Sequence, residues 1–246
     1  MTKPTKILLL AGTQEGRALA KELSHHGIDT IASLAGATRD ATKLAVPTRV
    51  GGFGGAAGFE NYLHDHGVRA VLDATHPFAN RISRRSFEVC TRIGIPYVQV
   101  LRPAWQAMSG DTWYFVDQEE EAAGLIASDA TVFLATGRQT LERFQNLSGR
   151  RVICRQIDPP TQPFPFEGGE FLVGRPPFTV DDEIALFSKL GVDWLIVKNA
   201  GGSASSTKLT AARELGIPVI MINRPKPTGA ETVRTVHEAM QWVLNL

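Results

Sequence analysis

Short, almost wholly apolar runs alternate along this chain with longer stretches whose apolar residues recur every three or four positions. The runs lie at 6–11, 29–34, 48–50, 69–73 and 97–101, and again at 131–135, 151–157, 170–173, 193–197 and 219–222. Several are rich in β-branched residues, as strands covered on both faces require. The stretches between them carry the helical period. Ile82, Ser86, Val89, Cys90 and Ile93 fall on one stripe, and Val233, Val236, His237, Met240, Val243 and Leu244 on another. Asp117 followed by Glu120, and Thr179 followed by Asp182, have the form of helix starts. Strands alternating with helices predict parallel sheets with right-handed crossovers.

The pattern occurs twice. Gly-Ile-Pro-Tyr-Val-Gln-Val-Leu-Arg-Pro ends at Pro103 and returns as Gly-Ile-Pro-Val-Ile-Met-Ile-Asn-Arg-Pro ending at Pro225, an offset of 122. Leu9-Leu10-Ala11 matches Phe133-Leu134-Ala135, Val50-Gly51 matches Val173-Gly174, and His66-Gly67-Val68 matches Leu190-Gly191-Val192, at offsets of 123 to 124. Landmarks in order at a nearly constant offset indicate an internal duplication. The expected architecture is α/β: two doubly wound parallel-sheet domains with a ligand cleft between them. Their expected spans are 1–104 and 112–246, joined near 104–111, with the C-terminal helix free to pack on either.

Composition narrows the function classes. Over 246 residues, 43% are hydrophobic and 21% charged, which is globular and not disordered. A formal charge of +1 argues against a dedicated nucleic-acid binder. No run approaches the ~20 apolar residues of a membrane helix, and nothing at the start resembles an export signal. Two cysteines, Cys90 and Cys154, suit a reducing compartment. A cytoplasmic protein is expected. The six histidines show no metal-ligand spacing, and neither a G-x-S-x-G elbow nor a G-x-x-x-x-G-K-[ST] loop is present.

Candidate chemistry collects at the carboxyl ends of the predicted strands, where open parallel sheets bind ligands. Strand one runs into Gly12-Thr13-Gln14-Glu15-Gly16, a small turn opening a helix and suited to a phosphate. The competing account is a tight turn that needs small residues. After strand two, Ser33, Gly36, Thr38 and Arg39 stand where an NAD site usually has an acid to hold the ribose 2′-hydroxyl. Hydroxyls and a cation suit a 2′-phosphate, so NADPH is the expected cofactor if a dinucleotide binds. Strand three ends in Gly51-Gly52-Phe53-Gly54-Gly55, which lets a cofactor lie on bare backbone or forms a mobile loop. Strand four releases Asp73, Thr75 and His76 together just before a helix. Each has a structural alternative as a cap or packing residue.

The second half repeats the geography with Arg138 and Gln139 after its first strand and Lys198-Asn199 after its fourth. A small-residue loop then leads to Lys208. Arg138, Lys198, Lys208 and Arg224 make this rim cationic, with Arg81, Arg84, Arg85 and Arg102 in the other half. In a near-neutral protein such a rim suits an anionic small molecule, although an ordinary solvated set of cations would read the same way.

Taken together, Leu-Ala-Gly-Thr-Gln-Glu-Gly-Arg, Asp-Ala-Thr-His-Pro-Phe-Ala, Thr-Gly-Arg-Gln, Val-Lys-Asn-Ala-Gly-Gly and Ile-Asn-Arg-Pro resemble the precorrin-6A reductases of corrin biosynthesis, over nearly the whole chain. Ala200 departs from the serine found in many relatives. The resemblance implies two Rossmann-like domains and NADPH-dependent reduction of one ring carbon–carbon double bond of precorrin-6A, giving precorrin-6B. It implies an anionic tetrapyrrole-derived macrocycle as partner, with no nucleic acid or membrane, and transient contact with neighbouring pathway enzymes. Gly12, Thr13, Gln14, Glu15, Ser33, Gly36, Thr38, Arg39, Gly51 and Thr75 are then the expected cofactor residues. Arg138, Gln139, Lys198 and Lys208 are expected on the substrate, and Asp73, His76 and Lys198 are the candidate catalytic groups. A nucleotide-sugar glycosyltransferase and a non-catalytic NADPH sensor are the rival readings.

Overall fold

A computed structural model describes residues 6–36, 43–203 and 205–246. Two compact units emerge: Met1–Pro103 with Pro225–Leu246, and Ala104–Arg224.

The first unit holds β1 (Ile7–Leu10), α1 (Gln14–His25), β2 (Thr30–Leu34), β3 (Thr48–Val50), α2 (Gly55–Asp65), β4 (Ala70–Asp73), α3 (Asn80–Ile93) and β5 (Tyr97–Val100). The second holds β6 (Trp113–Val116), β7 (Thr131–Leu134), β8 (Arg151–Gln156), β9 (Gly169–Val173), α4 (Val180–Leu190), β10 (Trp194–Lys198), α5 (Thr207–Leu215) and β11 (Val219–Ile222). β12 (Glu231–Val233) and α6 (Val236–Leu244) return to the first unit. Each apolar run predicted as a strand is one.

Both sheets are parallel and have the same order. The first reads β3-β2-β1-β4-β5-β12 and the second β9-β8-β7-β10-β11-β6. This is the doubly wound dinucleotide-binding order, with its reversal beside β1 and β7. The duplication explains the sixth strands. β6 follows β5 in the chain yet pairs with β11, and β12 follows β11 yet pairs with β5. Each half thus completes the other's sheet. The span 112–246 expected for the second domain is corrected here: residues from Pro225 onward belong to the first unit.

Alternation along the strands builds the cores. In the first unit Ile7, Leu9 and Leu72 pack under α1 and α6, while Leu8, Leu10 and Val71 pack under α2 and α3. In the second, Phe133, Leu195, Val197 and Met221 meet Phe187 of α4 and Leu209 of α5. Its other face is covered by the 3-10 segments Glu119–Leu125 and Arg138–Leu147, the latter burying Leu141, Phe144 and Leu147. Thr179 caps α4 in a capping box with Asp182, as its spacing predicts. The start expected at Asp117 lies one residue later, at Gln118 with Glu121. Val233, expected on the last helical stripe, is in β12, and His237 and Leu244 of that stripe are exposed. Thr235 caps α6 and ends the strand before it.

Candidate active site at the carboxyl edges of the sheets

In the first unit strand order reverses between β1 and β4. The chain leaves β1 through Gly12, whose φ of +144° favours glycine and whose missing side chain would meet nothing within 4 Å. Thr13 caps α1. Its Oγ1 accepts from the Gly16 amide at 3.1 Å and donates to the Ala74 carbonyl at 2.7 Å. One hydroxyl therefore stitches the loop after β1 to the loop after β4. Gly16 permits the close approach: a Cβ there would lie 3.2 Å from Ala11 Cα and 3.5 Å from the Ala74 carbonyl oxygen. The first turn of α1, with Gln14 exposed, carries amide groups without intrahelical partners and the positive end of the helix dipole. That is an anion-accepting corner.

Two residues of the motif are engaged within the protein. The Thr13 hydroxyl is consumed by the cap and the stitch. Glu15 forms an ion pair with Arg102 at 2.8 Å, both side chains being mostly buried.

At the ends of β2 and β3 the organising residue is Arg49, which the sequence reading missed. Its Nη1 donates to Ser33 Oγ at 2.7 Å and to the Gly51 carbonyl at 2.8 Å, and its Nη2 donates to the Gly52 carbonyl at 2.8 Å. Its guanidinium carbon lies 4.0 Å from the centre of the Phe53 ring. Ser33, Gly51 and a cation therefore do meet at this edge, with Gly36 at φ +78° beside Val50. Thr38 and Arg39 lie outside the described residues. The signal for Arg49 was available: an arginine inside a three-residue strand that runs into four glycines.

The corner after β4 is held by Asp73. It is fully buried; its Oδ1 accepts from the Thr75 amide at 2.9 Å and its Oδ2 from the Tyr97 hydroxyl at 2.5 Å. Burial and the neighbouring carboxylate push the Tyr97 hydroxyl well above its ordinary pKa, so it remains a donor. Asp73 has no solvent-exposed surface, and each of its carboxylate oxygens accepts a hydrogen bond. It fixes the corner that presents Thr75 and His76. Thr75 Oγ1 is 3.2 Å from Ser83 Oγ. His76 is exposed, and its Nδ1 accepts from the Phe78 amide at 3.2 Å.

In the second unit Arg138 and Gln139 are exposed at the start of a 3-10 segment, just after Gly137 at φ +72°. Lys198 ends β10, where its Nζ donates to Thr140 Oγ1 at 2.9 Å and lies 3.8 Å from the buried Glu119 carboxylate. Burial lowers its pKa despite that carboxylate. Asn199 clamps the incoming chain: its Oδ1 accepts from the Trp105 amide at 2.8 Å and its Nδ2 donates to the Trp105 carbonyl at 3.1 Å. Arg224 donates to the carbonyls of Asn199 and Ala200 at 2.8 and 3.0 Å.

Lys208 lies in the first turn of α5. It is 8% exposed, and its ammonium donates to the Ser205 carbonyl. Desolvation, reinforced by Arg155 and opposed by Glu183, brings its pKa down to about 8. Arg155 and Glu183 form a buried two-bond ion pair, each bond 2.8 Å. Sequence reasoning missed both, because nothing in a run such as Arg-Gln-Ile-Asp marks an arginine as internal.

Two doubly wound sheets of dinucleotide-binding order, one with a glycine turn and capped helix at its reversal, define a protein of Rossmann-like fold. The family model for precorrin-6x reductase CbiJ/CobK matches residues 6–244. A precorrin-6A reductase of Rhodococcus erythropolis is 43% identical over 97% of both chains. A cobalt-precorrin-6A reductase of Priestia megaterium is 31% identical over 97% of this chain and 98% of its own. The solved structure of a CobK precorrin-6A reductase superposes with a TM-score of 0.93 at 37% identity, covering 98% of this chain and 96% of that one. The chain belongs to the precorrin-6x reductase family. It is an oxidoreductase of cobalamin biosynthesis.

Proposed function

We propose that the protein reduces one ring carbon–carbon double bond of precorrin-6A with NADPH and a proton, giving precorrin-6B and NADP⁺. The observation that carries this reading is the corner at the reversal of the first sheet, within a full-length match to reductases of this substrate. The corner fits a dinucleotide phosphate: Gly12 leaves open backbone where a side chain would stand, and α1 offers its free amides. Arg49, held on Ser33 and the Gly51 carbonyl, fits a 2′-phosphate where no acid stands to prefer a ribose hydroxyl. Arg39 and Thr38 remain proposed for the same phosphate. Relatives at 38% to 43% identity bear the metal-free name, which favours the metal-free macrocycle.

When bound, NADPH supplies the hydride. The protein's residues have to orient two rings and keep water from the acceptor. Asp73 and Tyr97 hold the corner rigid, and Thr13 fixes it to the first helix. The adjacent carbon takes its proton from solvent, with His76 the exposed side chain placed to relay it. Arg138, Gln139, Lys198 and Lys208 are proposed for the acidic macrocycle. A cytoplasmic location fits these small-molecule partners, and among the described residues no helix is long and apolar enough to cross a membrane.

Anaerobic mixing with NADPH and precorrin-6A tests the reading through loss of nicotinamide absorbance. Binding of NADPH without turnover would leave only a sensor. Thermal stabilisation by nucleotide-diphosphate sugars and not by NADPH would favour a glycosyltransferase and overturn it.

A further inference from the structure

One carboxylate of the second unit is sealed on the face of the sheet that the 3-10 segments cover. Glu119 opens the segment Glu119–Leu125 and is only 4% exposed, although its neighbours Glu120 and Glu121 face solvent. A buried carboxylate persists only when it is paired. The Oε2 of Glu119 meets Arg143 Nη1 at 2.7 Å, and its Oε1 lies 3.8 Å from Lys198 Nζ at the end of β10.

Arg143 is shared between two acids. Its Nε and Nη2 each donate to Glu120 at 2.8 Å, and Nη2 also donates to Gln118 Oε1 at 2.5 Å. The charges therefore close as Glu119 and Glu120 against Arg143 and Lys198. The first three come from the 3-10 layer, and Lys198 comes from the sheet. The Lys198 ammonium also donates to Thr140 Oγ1 at 2.9 Å, where Thr140 stands at a kink in the segment Arg138–Leu147. Glu119 and Arg143 face that ammonium from the layer, and Cys154 faces it from β8. Burial lowers the pKa of Lys198, Glu119 opposes the lowering, and Arg143 adds to it. Burial pushes the Cys154 thiol up to about 11, so it is uncharged at neutral pH.

We propose that Glu119 is a positioning residue for the reaction, holding the Lys198 ammonium charged and seated on Thr140 at the end of β10. Arg143 keeps the carboxylate in that orientation. That Lys198 in turn meets the macrocycle rests on the function proposed above; that Glu119 governs its proton and its seat does not. Without Glu119, Arg143 and Glu120 neutralise each other. Lys198 then loses its counter-charge while the guanidinium stays near, and it gives up its proton more readily.

NMR of isotope-labelled lysine reads that proton directly through the Lys198 Cε resonance, with Lys198→Arg to assign it. Glu119→Gln keeps the shape and should lower the proton affinity of Lys198 about tenfold or more. Glu119→Asp withdraws the carboxylate by one methylene and should lower it about threefold, so the coupling is still read if the amide variant does not fold. Glu120→Gln removes the exposed partner of Arg143 and should leave it within about twofold. A purely structural part for Glu119 would lower the melting temperature without moving that titration. With NADPH and precorrin-6A, KM should climb with pH as Lys198 loses its proton. In Glu119→Gln the climb should begin about one pH unit or more lower, with kcat at neutral pH within about threefold of wild type. A Lys198 titration unchanged in Glu119→Gln would overturn the proposal. A titration that moves while the KM profile stays in place would overturn the part of Glu119 in the reaction. If wild type does not turn over precorrin-6A, the proposed function falls, and the lysine titration still decides whether Glu119 holds Lys198.

Discussion

Lys208→Met should stabilise the ligand-free protein at neutral pH, and the gain should vanish as pH rises. In the unfolded chain the ammonium has its ordinary pKa of 10.5, and in the folded protein burial lowers it to about 8. Arg155 adds to the lowering and Glu183 opposes it; both remain in the variant. Each tenfold change in proton affinity is about 1.4 kcal/mol, so the gap corresponds to about 3 kcal/mol. The sign follows from proton counting. Between the two values the unfolded chain binds more protons than the folded one, so wild-type stability rises with pH across that window. Below about 8 both states are protonated, and the folded protein carries the whole penalty. Methionine keeps the stem and removes the charge. The variant should therefore be more stable by up to about 3 kcal/mol at neutral pH, or roughly 6–12 °C in melting temperature. The advantage should shrink toward zero as pH approaches 10.5. Urea titrations of both proteins across this range measure the difference directly, and groups common to both cancel. A variant less stable than wild type at neutral pH, or a difference that does not change with pH, would refute the reasoning.

Three further substitutions probe the first unit. Gly58→Ala places a Cβ 1.8 Å from the Phe53 carbonyl oxygen. Backbone must move, so the melting temperature should fall by the equivalent of about 3 kcal/mol or more, and a melt within about 2 °C of wild type would refute the clash. Arg49→Ala should weaken NADPH about tenfold or more while leaving NADH nearly unchanged; an unaltered ratio in equilibrium titrations would remove Arg49 from the 2′-phosphate. Tyr97→Phe takes one donor from the sealed Asp73 carboxylate, a loss of about 1.5–3 kcal/mol, visible by chemical denaturation. Unchanged stability would mean that the Asp73–Tyr97 bond holds nothing.

Much of this protein was legible from one dimension. Apolar runs of strand length located the inner strands of both sheets, because a strand with helices on both faces has no polar alternation to hide it. The repeat of Gly-Ile-Pro with Arg-Pro revealed the duplication, and the small residues after β1 marked the turn at the reversal of the first sheet. Of the four edge strands, β3 and β9 were legible and β6 and β12 were not. Both are short and largely exposed: Trp113–Val116 is apolar but only four residues long, and Glu231–Val233 has no apolar run at all. Their exchange between the halves follows from hydrogen bonds to strands distant in sequence. Residue type likewise told where charge and hydroxyls gather but not which of them are free. Asp73, Glu15, Thr13 and Arg224 are each occupied by a partner that only folding supplies. Arg49, Arg155 and Gln156 gain their meaning from what surrounds them. Local pattern decides the elements because burial follows periodicity. Whether a polar group is satisfied or left facing a ligand depends on neighbours from other strands, and only the tertiary structure decides that.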